Sequence, residues 1–187
     1  MSAVRVLVLG ALERQGVAHG YQILNDLKSW RVETWTSIKP GSIYHALSQL
    51  ESQGMIQPSA TVTGAKLGPA RTEYSLTSEG KKELTALIEA ALKSPDLEQQ
   101  SAGIALMEML PRDRVITLLD ERLKTFEAVP TFLRTLPTEP IPSEPSKHPE
   151  LIALWSRYFE AIADSTQKLI AAIKAGNYKF KDEETET

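Results

Sequence analysis

Cysteine is absent from the 187-residue sequence, so the chain has neither a disulfide bond nor a thiolate ligand for a metal. Histidine is scarce as well: the three residues are His19, His45 and His148, and their positions show no metal-ligand spacing. The apolar run at the start of the chain is short and broken by Arg5, which favours a core helix over a signal peptide or membrane span. These absences predict no metal, no other cofactor and no membrane partner, and they suit a cytoplasmic protein.

Residue arrangements that carry catalysis or bind nucleotide phosphates are also missing. No order of nucleophile, base and acid supports an enzyme. Gly64 and Gly68 flank Lys66, but no Gly-Lys-Ser or Gly-Lys-Thr follows, so a turn at the tip of a hairpin is the better interpretation.

Positive charge is not in excess over the whole chain, whose formal net charge is −3. It is unevenly distributed, however. Between residues 37 and 72 the basic residues are Lys39, Lys66 and Arg71, and the one acid is Glu51. This imbalance arises by chance or marks a locally positive surface on an otherwise acidic protein.

The pattern along the chain is mainly helical. Apolar residues recur at steps of three and four in residues 4–12, 20–30 and 40–53, and then the period changes to short extended runs at 57–62 and 71–76. A helix follows, with Thr77 as its N-cap. Three helices, a two-stranded hairpin and a helix form the order of a winged helix-turn-helix. We therefore predict a mainly α fold, with this winged domain over 1–93, a helical dimerisation domain over 94–180, and a flexible tail over 181–187.

The third helix has one apolar face and one polar face. Ile43, Leu47 and Leu50 form the apolar stripe. In a winged helix this element enters the major groove of DNA and the hairpin lies near the backbone, so the polar face and the basic residues are predicted to contact DNA. The candidate DNA-binding residues are Lys39, Gly41, Ser42, Tyr44, His45, Ser48, Gln49, Lys66 and Arg71. For Tyr44 the alternative is a half-buried core aromatic, and for His45 it is an ordinary solvent-exposed side chain.

Three segments together resemble the PadR family of transcriptional regulators: HGYQILNDL, PGSIYHALSQLESQGMI and TEYSLTSEGKKEL. The resemblance covers about residues 4–92, and a looser similarity extends to the helical C-terminal domain of the larger members. It implies a homodimer on a palindromic operator in double-stranded DNA, usually acting as a repressor, and in several members a small aromatic or drug-like effector releases the DNA. One departure is Lys39 before Pro40, where a capping serine is more usual; Lys39 is free to face a phosphate instead.

The last helix has an apolar seam that a chain of this size can hardly bury alone, so we predict that it holds a homodimer together. The predicted dimerisation residues are Trp155, Tyr158, Ile162, Leu169 and Ile173. Aromatic residues also suggest an effector pocket, for which the candidates are Trp30, Trp35, Trp155 and Tyr158. The alternative for these four is that they only fill cores.

Two rival hypotheses remain open. A winged helix can serve protein contacts without specific DNA binding, and low salt sensitivity would then be expected. A small helical enzyme would require a catalytic constellation in the C-terminal half, and the sequence offers none.

Overall fold

Helices dominate the computed structural model, which describes residues 2–62, 71–133, 135 and 149–186. Within these ranges the elements are α1 (Ala3–Gln15), β1 (Ala18–His19), α2 (Gly20–Ser29), α3 (Pro40–Ser52), β2 (Ile56–Val62), β3 (Arg71–Leu76), α4 (Ser78–Lys93), α5 (Leu97–Leu106), α6 (Arg112–Leu133) and α7 (Pro149–Lys174). Short 3-10 turns cover Val32–Thr34, Met107–Met109 and Lys181–Glu186. The predicted fold class, mainly α with a winged helix-turn-helix and a helical C-terminal part, is confirmed.

The chain divides into two units, Met1–Met109 and Leu110–Thr187. The sequence suggested a division after residue 93, but α5 packs against α4 and α1 inside the first unit. Gly103 permits this close packing, because a Cβ at that position would lie 2.8 Å from the backbone nitrogen of Leu92. The assignment of dimerisation to the second unit stays a prediction.

Both apolar sides of α1 are covered within the first unit. Its residues from Val6 to Leu12 are buried, and the helix contacts α2, α3, α4, α5 and β3. A helix that is apolar all round requires such cover. The helix ends at Gly16, whose φ of 72° is accessible to glycine at little cost.

The sheet has three strands in the order β1-β3-β2, and not the two predicted from the sequence. The hairpin pairs Val62 with Arg71 at its outer end and Ile56 with Leu76 at its base. The additional strand β1 places Ala18 opposite Tyr74. It was missed because two residues between helices show no alternation of apolar and polar side chains, and only pairing with β3 makes them a strand.

The second unit packs α6 against α7 around an unexpected buried arginine. Arg122 is 1 % exposed; its Nε donates to Thr166 Oγ1 at 3.3 Å, and its guanidinium lies 4.6 Å from the ring of Phe126. Removal from water disfavours the charged form and lowers the pKa of Arg122 to about 10. This still leaves the side chain charged at neutral pH, so α6 and α7 enclose a cation.

Arg112 at the start of α6 binds the C-terminal segment. Its guanidinium donates to the carbonyl oxygens of Ile173 and Tyr178, the latter at 2.7 Å, and its Nε donates to Glu183 Oε1 at 2.5 Å. Phe180, 1 % exposed, lies under the same guanidinium, with 4.8 Å between its ring centre and Cζ. The charged composition predicted a flexible tail over 181–187, but Lys181–Glu186 forms a 3-10 turn tied to α6 by Glu183.

The C-terminal segment around Phe180 and Glu183 should detach from α6 at low pH. Hydrogen bonds from Arg112 and from the Phe180 N–H lower the pKa of Glu183 below its ordinary value. Because the folded-state pKa is depressed, the stabilisation is present above the unfolded pKa and is lost as the pH falls through the folded pKa. We expect the Phe180 amide resonance to move toward an unfolded position as the pH falls below the ordinary titration range of a glutamate, in an NMR titration. Glu183→Gln should remove that transition; an identical titration in the variant would contradict the assignment.

Candidate nucleic-acid interface

The third helix turns its apolar stripe inward and its polar face outward. Ile43, Leu47 and Leu50 are at most 3 % exposed, packed under α1, α2 and β2. Gly41, Tyr44, His45, Ser48 and Gln49 are exposed on the other side, and Ser42 is half-buried. The structure therefore has the orientation of α3 that the residue spacing predicts, with the apolar stripe inward and the polar face outward. A polar helix face of this kind, with a rigid core behind it, can enter a DNA groove.

Tyr44 combines the two interpretations that the sequence left open. The side chain is 52 % exposed, yet its ring rests on the backbone of Gly20, where an added Cβ would lie 2.5 Å from Tyr44 Cε1. The ring is thus supported on one side by the first turn of α2 while much of the residue faces solvent. Gly20 was not singled out as a site residue, although its smallness is what admits the ring.

The start of α3 is capped without an acidic side chain. The Ser42 hydroxyl accepts from the Lys39 N–H at 3.1 Å and donates to the Lys39 carbonyl at 2.6 Å. Pro40 occupies the first helical position, where a missing N–H costs nothing. The Lys39 side chain is exposed, so its charge adds to the positive end of the helix dipole. Because the Ser42 hydroxyl is already engaged in the cap, Lys39 is the stronger candidate of the two for a phosphate contact.

Tyr74 ties the hairpin to the end of α3. Its hydroxyl donates to Glu51 Oε2 at 3.2 Å, and burial together with the nearby Glu51 carboxylate raises the pKa of Tyr74. The bond links β3 to the last turn of α3. Among the basic hairpin residues, Lys66 lies outside the described residues, and Arg71 is placed by its backbone at the outer end of β3. Their roles stay predictions.

The four aromatic effector candidates fall into two groups. Trp30 and Trp35 line an open cleft of about 450 Å³ in the first unit, together with Ser101, Ile104 and Ala105 of α5. Trp155 and Tyr158 lie on α7 in the second unit, in edge-to-face contact with 5.5 Å between ring centres.

The predicted dimerisation residues of α7 differ in exposure. Ile162 and Ile173 are buried within the chain, at 7 % and 0 % exposed, whereas Trp155 is 44 % exposed. Leu169 and Tyr158 are half-buried. Two apolar residues that were not among the predicted dimerisation residues, Leu151 and Leu154, are exposed beside Trp155 at helical spacing. The free apolar surface of α7 therefore lies at its N-terminal end.

Metal-binding clusters and membrane-spanning helices are not found in the described part of the chain. No three His, Asp or Glu side chains there cluster closely enough to hold a metal ion. Among the helices of residues 2–62, 71–133 and 149–186, none combines the length and the hydropathy that a bilayer span requires.

Comparison with known proteins finds a family match within the first unit. Residues 8–86 match the Transcriptional regulator PadR-like family, which confirms the resemblance seen in the sequence. Among solved structures, a PadR family transcription regulator from Clostridium difficile R20291 is 28 % identical, with 46 % of this chain and 82 % of that chain covered and a TM-score of 0.38. Bacillus subtilis PadR, solved in complex with operator DNA, is 21 % identical over 92 % of this chain and 99 % of that chain, with a TM-score of 0.42. A PadR-like regulator from Bacillus cereus is 18 % identical, with the same coverage and a TM-score of 0.36. No curated protein matches the chain.

Proposed function

We propose that this chain, which carries a PadR-like transcriptional-regulator domain in residues 8–86, binds a specific operator in double-stranded DNA through α3. The observation that carries the proposal is the exposed polar face of α3, set on a buried apolar stripe. Tyr44 donates to a phosphate, and His45, Ser48 and Gln49 reach base edges in the major groove. The hairpin lies against the DNA backbone, where Lys66 and Arg71 supply positive charge. The protein acts in the cytoplasm.

Selection of DNA from a random pool by the purified full-length protein tests this function. We expect recovery of a palindrome, because a two-fold symmetric dimer reads two half-sites whose spacing follows the distance between its recognition helices. Recovery of no preferred sequence would favour the alternative, a winged helix that serves protein contacts. The proposal also includes repression of transcription and release of the DNA by a small aromatic effector. Transcription from the recovered operator measures both.

Salt dependence should report on Lys39. Each phosphate contact contributes about −0.9 to the slope of log affinity against log salt concentration. In a dimer, Lys39→Ala removes two contacts, so the slope should flatten by about two units. Lys124→Ala, an exposed lysine of α6, is the matched control and should leave the slope unaltered. Equal slopes for the wild type and Lys39→Ala would show that Lys39 does not contact the DNA backbone.

Dimerisation is assigned to the exposed apolar surface of α7. Leu151, Leu154 and Trp155 are 51 %, 63 % and 44 % exposed and lie on one side of the helix. Leu154→Glu should therefore shift sedimentation from dimer to monomer, because a buried carboxylate at an interface is costly. Ala171→Glu, exposed on another side of α7, is the control. Ile162→Glu is not a clean test, because Ile162 belongs to the core of the second unit. If Leu154→Glu leaves the dimer intact, the interface lies elsewhere on the chain.

A further inference from the structure

The first turn of α2 is capped by a histidine. His19 Nδ1 accepts a hydrogen bond from the Gln22 N–H at 3.2 Å, and Gln22 Oε1 accepts from the His19 N–H at 2.9 Å. The usual capping residues are Ser, Thr, Asp and Asn, whose side-chain oxygens accept a hydrogen bond throughout the neutral range of pH. An imidazole nitrogen accepts only while it carries no proton. This cap therefore requires a neutral His19 with its proton on Nε2.

Gly20, the first residue of α2, connects the cap with the recognition helix. A Cβ at Gly20 would lie 2.5 Å from Tyr44 Cε1 and 3.3 Å from Leu47 Cδ1, so the backbone beside the cap touches both side chains. Leu47 is buried, whereas Tyr44 is half exposed on the side of α3 that is proposed to meet DNA. The N–H groups of a first helical turn have no partner within the helix, so a turn without its cap frays more readily. Loss of the cap therefore weakens the support of the Tyr44 ring.

An acidic residue of β3 faces the capping histidine. The pairing of β1 with β3 places Glu73 opposite His19. Side chains of directly opposed residues lie on the same face of a sheet, with about 4.5–5.5 Å between their Cβ atoms. The neighbouring Tyr74 donates its hydroxyl to Glu51, and on α2 the ring of Tyr21 stacks beside the imidazole with 6.4 Å between centres. A protonated His19 can therefore exchange the helix cap for an ion pair with Glu73.

The groups that α3 and α1 bring toward α2 differ in their distance from the cap. On α3 these are Tyr44, whose ring rests on Gly20, and His45, which is exposed next to it. On α1 the charged group is Arg14, which pairs with Asp26 at 2.8 Å about two turns beyond the cap. Of these groups, only His45 titrates in the same range of pH as another histidine, so a test has to separate the two.

We propose that His19 is a positioning residue for DNA binding and makes this binding sensitive to pH. In its neutral form His19 caps α2 and keeps the first turn against Tyr44. A proton on Nδ1 removes the acceptor, and the positive end of the helix dipole repels the imidazolium, which turns to Glu73. The affinity for DNA therefore falls as the pH drops through the range of histidine protonation, about pH 8 to pH 5. The effect on DNA rests on the proposed function.

NMR of the full-length protein tests the exchange without DNA. We expect the Gln22 and Tyr44 amide resonances to titrate together between about pH 8 and pH 5.5. His19→Asn keeps a capping oxygen that does not titrate, so both resonances should become independent of pH. In His45→Asn both should titrate as in the wild type. A Gln22 resonance that does not titrate in the wild type would overturn the exchange, and titration of Gln22 without Tyr44 would overturn its link to α3.

Affinity for DNA recovered by selection measures the consequence. The comparison is made in a His45→Asn background, because a protonated His45 facing DNA would strengthen binding at low pH and mask the effect. Between about pH 7.5 and pH 5.5 we expect the affinity to fall by up to about five-fold for each protomer, the limit that one N-cap sets. Adding His19→Asn should remove this fall, and adding His19→Ala should give weak binding at both values of pH.

Glu73→Gln tests the partner of the protonated form. Without the carboxylate the imidazolium is less stable, so the fall in affinity should begin at a lower pH. An equal fall with and without His19→Asn would overturn the role of His19, and an unaltered transition in Glu73→Gln would overturn the exchange. Failure to recover any DNA sequence would refute the proposed function, whereas the NMR titration would still decide whether protonation releases the cap.

Discussion

Gly80→Ala should lower the free energy of unfolding by about 3 kcal/mol. A Cβ at Gly80 would lie 1.9 Å from the carbonyl oxygen of Met55, and this obstacle is backbone, not a flexible side chain. Met55 cannot easily move away, because its carbonyl accepts from the Thr77 N–H at 3.1 Å, while the Thr77 hydroxyl donates to the neighbouring Gly54 carbonyl at 2.7 Å. The Thr77 hydroxyl also accepts a hydrogen bond from the Gly80 N–H at 3.0 Å. An added methyl group therefore breaks the junction where α3, β2 and α4 meet.

Chemical denaturation measures this effect, with Gly41→Ala as the matched control. No atom lies within 4 Å of a Cβ at Gly41, which is in the first turn of α3. This substitution should be neutral or stabilising by up to about 1 kcal/mol, because alanine reduces the entropy of the unfolded chain. If both variants unfold at the same denaturant concentration, α4 approaches Met55 less closely than the structure shows.

Tyr44→Ala should weaken operator binding roughly ten-fold or more while leaving the protein folded. A hydrogen bond to a charged phosphate contributes about 1.5–3 kcal/mol, and Tyr44 is 52 % exposed, so the fold depends little on it. Leu47→Ala is the complementary variant. Leu47 is 3 % exposed, and its truncation should cost about 2–5 kcal/mol of stability.

Titrations against the selected operator and denaturation curves of both variants test this contrast. Tyr44→Phe keeps the ring and isolates the hydroxyl. Gly20→Ala should also weaken binding, because the new Cβ displaces the Tyr44 ring from its support. If Tyr44→Ala destabilises the protein as much as Leu47→Ala does, Tyr44 is a core residue and not a DNA contact.

Features that depend on near neighbours in the chain were predictable from the sequence. The stripe of Ile43, Leu47 and Leu50 follows from the helical period, and the structure buries it. Thr77 was expected to cap α4, and its hydroxyl accepts from the Gly80 N–H. Gly54 directly follows the end of α3 with a φ of 70°, a conformation in which glycine commonly terminates helices. Periodicity, caps and turns involve interactions across a few residues, so a single sequence records them.

The missed features of the candidate site join residues far apart in the chain. Gly20 and Tyr44 are separate motifs in the sequence, and only the packing of α2 on α3 shows that one supports the other. Likewise, Pro95 separates α4 from α5, and the predicted domain boundary after residue 93 placed α5 in the second domain, yet α5 forms a wall of the Trp30–Trp35 cleft. A chain break marks the end of an element but does not say where the next element packs.

What the sequence by itself determined was the type and order of the elements, the two faces of α3, and a resemblance to the PadR family over about residues 4–92, within which the family match covers residues 8–86. Only the tertiary structure decided which side chains are enclosed. Arg122 lies in a charged stretch that is typical of a solvated face, yet α7 covers it. Ile162 lies in the same seam as Trp155, yet one is buried by α6 and the other is exposed. Burial depends on which surfaces meet, and helical periodicity fixes the faces of a helix without specifying what covers each of them.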